Sequence, residues 1–167
     1  GLKLERNNTL VPFQGVLQGN GAAPTTWVVI STPLLNMMRE AGNGGKFISP
    51  ISKNTHHYAG FAFVDDTDLI TLNMIDHSID LEDIAVEMQD AIDRWEGGLK
   101  ATGGAIVPHK SWVYAIDFSF DSQGDPHYKK TTDLDIQFTV LDQHDVRKPL
   151  EIVPTDVGKE TLGVYLA

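Results

Sequence analysis

Apolar residues recur at helical spacing in two stretches of this chain and at strand-like spacing in several shorter ones. The clearest stretch is 81–95. There Leu81, Ile84, Ala85, Met88, Ala91, Ile92 and Trp95 fall on one helical face. Glu82, Asp83, Glu87, Asp90, Asp93 and Arg94 fall on the other, which reads as a solvated face. Asp80 stands where an N-cap belongs, the early acids suit the helix dipole, and Gly97-Gly98 predicts the stop. A second helix is predicted over 24–40. Pro24 suits a first helical position, and Trp27, Ile30, Leu34, Leu35 and Met38 keep the period. Pro33 predicts a kink or an end, and Gly42-Asn43-Gly44-Gly45 stops the element.

The remaining pattern is β-like. Residues 1–20, punctuated by Gly, Asn and Pro, read as a loop or a short strand. Short strands are predicted over 46–52, 58–64 and 67–72, the last two joined at Asp65-Asp66 as a hairpin. After Gly103-Gly104, strands are predicted at 112–120, 134–141, 150–153 and 161–166, separated by Gly, Pro and Asp turns. The last fifty residues therefore read as antiparallel strands. No repeat interrupts this order. The expected class is α+β, with helices packed on one face of an antiparallel sheet.

Composition narrows the field. A length of 167 residues, 41% hydrophobic, supports one domain with a real core rather than two full domains. The longest apolar run, 27–35, is too short for a membrane helix and is broken by Ser31, Thr32 and Pro33. No signal peptide is visible, and a start at Gly1 suggests a fragment or a processed product. The absence of cysteine excludes disulfides and thiolate chemistry and fits an intracellular, non-secreted protein. A net charge of −10 argues against a nucleic-acid binder unless the basic grip lies elsewhere in a larger protein.

Phe61-Ala62-Phe63-Val64-Asp65-Asp66 is the segment most suggestive of chemistry. Adjacent carboxylates at the tip of an apolar hairpin raise each other's pKa unless a cation neutralises them. A hard divalent ion that also takes phosphate oxygens does so, as two-metal phosphoryl transfer requires. The same residues by themselves read more readily as an ordinary acidic turn. His56-His57 stands just upstream, but neighbouring side chains on a strand point to opposite faces, which makes joint ligation awkward. Asp65-Asp66-Thr67-Asp68 lacks the glycine and the placed glutamate of a calcium loop. Gly19-Asn20-Gly21 lacks the strand–helix frame of a dinucleotide site.

The order of further segments adds a resemblance. Gln18-Gly19 followed by Ala23-Pro24, then Phe63-Val64-Asp65-Asp66, then Gly103-Gly104 with Lys110, then Leu162-Gly163 with Leu166, resembles the reverse transcriptase family of retrotransposon-like elements. The resemblance spans roughly residues 10–167. It implies a partial polymerase palm, truncated on its N-terminal side, over 1–120. Residues 121–167 would be a β-rich continuation that includes the primer-holding hairpin. It further implies that Asp65 and Asp66 bind Mg²⁺ or Mn²⁺, and that Gln18, Gly19, Pro24 and Phe63 line the nucleotide and template site. Lys110 would assist departure of pyrophosphate, and Leu162 and Gly163 would hold the primer. The implied partners are an RNA template, a DNA primer and deoxynucleoside triphosphates, with no membrane. The fingers, the upstream palm strand and the thumb would come from the remainder of the parent protein.

Two departures stand out. Ala23 replaces the family's serine before Pro24, and no aspartate stands in residues 1–13, where a third catalytic carboxylate would be sought. The expected activity is thus RNA-directed DNA synthesis by the intact parent, in the nucleus or cytoplasm, with this chain inactive alone. Two alternatives stay open. One is a metal-dependent hydrolase using Asp65 and Asp66 with His56 and His57. The other is a non-enzymatic remnant of an element.

Overall fold

The computed structural model describes residues 22–63, 66–72, 79–161 and 164–166. Among the described residues the fold is α+β, with two long helices and short, mostly antiparallel strand pairs. Helix α1 spans Ala23–Glu40 and helix α2 spans Leu81–Ala101. Between them lie two hairpins. Strands β1 (Gly45–Ile48) and β2 (Thr55–Tyr58) form the first, and β3 (Gly60–Phe63) and β4 (Asp66–Leu69) form the second.

After α2 come β5 (Trp112–Val113), then the hairpin of β6 (Phe118–Phe120) and β7 (Pro126–Tyr128). Strands β8 (Thr139–Leu141) and β9 (Arg147–Pro149) form another hairpin. Strand β10 (Glu151–Ile152) returns beside β5, and β11 (Lys159–Thr161) pairs with β12 (Val164–Leu166). The β5–β10 pair is parallel, a departure from the all-antiparallel expectation. Parallel pairing needs a long crossover, and the segment 114–150 supplies it. Among the described residues the strands form two-stranded ladders rather than one continuous sheet.

Helix α2 begins as expected: the Asp83 amide donates to Asp80 Oδ1 at 3.0 Å. It does not stop at Gly97-Gly98. Gly98 is buried where a Cβ would stand 2.7 Å from Leu34 Cδ2, so this residue lets the two helices approach rather than ending one. The end comes at Gly103, whose φ of 84° is the left-handed conformation glycine tolerates, with the Gly104 amide on the Leu99 carbonyl at 2.8 Å. Helix α1 runs through Pro33. The ring costs the Val29 carbonyl its partner, but Val29 and Pro33 are exposed, so that loss falls on the solvent side of the helix. One turn on, burial of Leu34 and Met38 holds the helix together.

Two apolar clusters meet on α2. Ala91 and Trp95 pack with Leu34 and Met38 of α1. Ile92 packs with Val113, Phe138, Val140 and Leu150. The second cluster draws on residues from both sides of position 120. Leu69 and Ile106 pack against both clusters. Two-stranded ladders are marginal alone in water, and these clusters hold β3–β4, β5–β10 and β8–β9, whereas β6–β7 is exposed throughout.

Gly60 marks how tightly the second hairpin is built, since a Cβ there would lie 2.2 Å from the Asp68 carbonyl oxygen. A backbone atom cannot swing aside as a side-chain tip can. We expect Gly60→Ala to destabilise the protein by about 1–3 kcal/mol. Urea unfolding followed by circular dichroism measures this, and an unchanged midpoint would show that the hairpin yields freely.

Candidate functional site

Strands β3 and β4 pair with Gly60 opposite Leu69 and Phe63 opposite Asp66. The connection is thus the two residues 64 and 65, and both, including the expected metal ligand Asp65, lie outside the described residues. Asp66, expected from the sequence to lie in the connection, is instead the first residue of β4. Along β4 the exposure alternates. Asp66 and Asp68 are exposed, while Thr67 and Leu69 are half-buried. Leu69 anchors the hairpin base in both apolar clusters, and Asp66 stands at the other end of the strand in water. Its carboxylate is the hard oxygen donor that Mg²⁺ takes.

The two histidines are engaged elsewhere. His57 Nε2 donates to the Asn43 carbonyl at 2.9 Å, which fixes the proton on that nitrogen. Asn43 Nδ2 donates in turn to Asp90 Oδ2 at 2.9 Å, and Arg94 reaches the same oxygen at 2.8 Å. This chain ties β2 to α2. His56 stacks on Phe47 with centroids 5.2 Å apart; Phe47 stacks on Tyr58, and Tyr58 meets Phe61 of β3. Neither histidine joins Asp66: among the described residues no three His, Asp or Glu side chains gather at metal-binding distance.

The other expected site residues are spread over the fold. Pro24 sits exposed in the first turn of α1, as the helical pattern predicts. Gln18 and Gly19 lie outside the described residues. The backbone of Phe63 pairs with Asp66, and its side chain is not described. Lys110 closes a short 3-10 turn, Pro108–Lys110, and is exposed. No hydrogen bond or ion pair joins Asp66 to Lys110 among the described residues. Leu162 and Gly163 also lie outside the description, although Thr161 pairs with Val164 across them. That final hairpin is tied to β5 through Tyr114, whose hydroxyl accepts from the Lys159 amide at 3.1 Å and donates to the Val157 carbonyl at 2.8 Å.

The 103–111 loop and the β8–β9 turn line an open groove of about 1060 Å³, with His109, His144 and Lys148 on its walls. Asp142 at its edge accepts the His144 and Val146 amides, and these hold its carboxyl below the usual carboxylate range. Residues 89, 93, 96 and 100 of α2 carry contacts that the sequence reading did not anticipate. Asp93, assigned to a solvated face, instead receives Arg147 of β9 at 2.8 Å. The spacing of the four was legible; that a strand lay against them was not.

No protein-family profile, curated protein or solved structure significantly matches this chain. Among the described residues no helix is long and apolar enough to cross a membrane.

Arg94 first, then Asn43, hold the Asp90 carboxyl below its usual value. A carboxyl with a lowered folded pKa contributes stability above its unfolded pKa and loses it as pH falls through the folded one. The pair is half-exposed, so solvent screening keeps the contribution below about 1 kcal/mol. We expect Asn43→Ala to move the Asp90 titration upward, towards ordinary carboxylates. NMR titration of the carboxyl carbons reads this directly; an unmoved Asp90 would assign the whole shift to Arg94.

Proposed function

We propose that this chain is part of the palm of an RNA-directed DNA polymerase, with the β3–β4 hairpin presenting its metal-binding carboxylates. The observation that carries the reading is the register of that hairpin. Phe63 opposite Asp66 sets an aromatic-x-Asp-Asp sequence across a two-residue connection. Support also comes from the order of elements. The hairpin lies between α1 and α2 in the chain, the two helices pack on each other, and Leu69 seats the hairpin base against both.

In this reading Asp65 and Asp66 hold Mg²⁺ or Mn²⁺, and further donors come from a strand outside this chain. The bound ions would lower the pKa of the primer hydroxyl and neutralise the departing pyrophosphate. The chain's own residues do the rest. Gln18, Gly19, Pro24 and Phe63 shape the pocket for template and deoxynucleotide. Lys110 offers an exposed ammonium to the leaving group. Leu162 and Gly163 hold the primer end at the tip of the β11–β12 connection. The acidic balance of −10 is then compensated by basic surfaces of the fingers and thumb in the parent protein.

The hydrolase alternative needs His56 and His57 beside the two aspartates, and the stacking of His56 on Phe47 and the hydrogen bond of His57 to Asn43 give it no support.

In the parent protein we expect Asp65→Ala and Asp66→Ala each to abolish primer extension on an RNA template with Mg²⁺, while primer–template binding persists. Extension that survives either change removes the assigned role.

A further inference from the structure

Four residues of α2, spaced 4, 3 and 4 apart, share one helical face and all reach the same hairpin. Gln89 meets the backbone of Thr139 as a strand would: its Nε2 donates to the Thr139 carbonyl at 2.9 Å, and its Oε1 accepts the Thr139 amide at 2.9 Å. Glu96, buried at 9% exposure, accepts the Leu141 amide at 2.6 Å. Asp93 takes Arg147 at 2.8 Å and is itself steadied by Gln89 Nε2 at 2.8 Å. Lys100 pairs with Asp145 in the turn between β8 and β9. The stripe thus bonds the backbone of β8 on the side away from β9, where the amides of a lone hairpin would otherwise face nothing.

The hairpin connects to the Lys110 loop through two further strands. Strand β9 ends at Pro149, and the Leu150 amide bonds back to the Phe138 carbonyl at 2.8 Å. Strand β10 then pairs with β5, and the Val153 amide donates to the Val113 carbonyl at 2.9 Å. Strand β5 starts two residues after Lys110. At its other end, the loop that carries Lys110 leaves the cap of α2 itself, through the Gly104–Leu99 bond. Both ends of that loop are therefore referenced to one helix: directly at Gly104, and through β8, β9, β10 and β5 at Trp112.

We infer that Gln89, Asp93, Glu96 and Lys100 form a latch that sets the position of the Lys110 loop, with Gln89 and Glu96 as its positioning residues. The latch stands on the contacts alone; its consequence for catalysis rests on the polymerase reading of Lys110.

Gln89→Met keeps the length and apolar stem of the side chain and removes both bonds to Thr139. Hydrogen exchange on the chain should then show the Lys110 and Val153 amides losing about tenfold in protection, as expected when a half-buried backbone donor and acceptor lose their partners. Arg94→Leu, on a different face of α2, should leave both amides unchanged. If Gln89→Met does not alter them, or if Arg94→Leu alters them equally, the latch is overturned. Should Gln89→Met unfold the chain, Glu96→Gln gives a second reading, because it retains an acceptor and weakens only the charged bond to Leu141.

In the parent polymerase, Gln89→Met should lower kcat for primer extension about tenfold with little change in the KM for deoxynucleotide. It should add nothing in a Lys110→Ala background. Full additivity there would overturn the positioning role. A Lys110→Ala variant with normal kcat would instead remove Lys110 from the proposed mechanism, and the exchange result alone would then decide the latch.

Discussion

Helix α2 carries both apolar clusters, and the described fold depends on that. A two-stranded ladder cannot bury enough apolar surface to stand alone. Here the β3–β4, β5–β10 and β8–β9 ladders gain stability from the clusters on this helix. Ala91 and Trp95 face α1, Ile92 faces the strands after residue 112, and Leu69 brings the base of the β3–β4 hairpin to both. Deleting a core aromatic such as Trp95 typically costs about 3–5 kcal/mol, a large part of what a domain of this size has.

The polar side chains of α2 complete the arrangement. Backbone amides at the open edge of β8 need acceptors once the apolar cluster draws that strand close. Gln89 and Glu96 supply them. Burying Glu96 would be unfavourable without such a donor, so strand and glutamate satisfy one another. The exposed ion pairs around them, Asp93–Arg147 and Lys100–Asp145, add less and serve mainly to fix register.

The candidate site follows from the same framework. A hairpin anchored at Leu69 holds Asp66 outward at the opposite end of β4, in water, where a cation can reach it. Lys110 is carried by a loop held between the end of α2 and β5. His56 and His57, conspicuous in the sequence, serve the β1–β2 hairpin: one stacks on Phe47, and the other closes the Asn43–Asp90–Arg94 chain onto α2.

The sequence by itself determined what is local. The apolar stripe of α2, its Asp80 cap, the span of α1, and a hairpin around Asp65-Asp66 all follow from spacings of a few residues, and each is present. Tertiary structure decided what depends on distant partners. Gly97-Gly98 looked like a stop because glycine is a poor helix former, but Leu34 packs onto Gly98 and the helix runs on to Ala101. Pro33 looked like a break, yet the buried Leu34 and Met38 outweigh one lost bond at the surface. Asp93 looked solvated because its partner Arg147 lies 54 residues away, and nothing local marked Gln89 and Glu96, whose partners Thr139 and Leu141 lie 50 and 45 residues away. No periodicity within a helix records such a separation, and only the folded chain brings those amides to their acceptors.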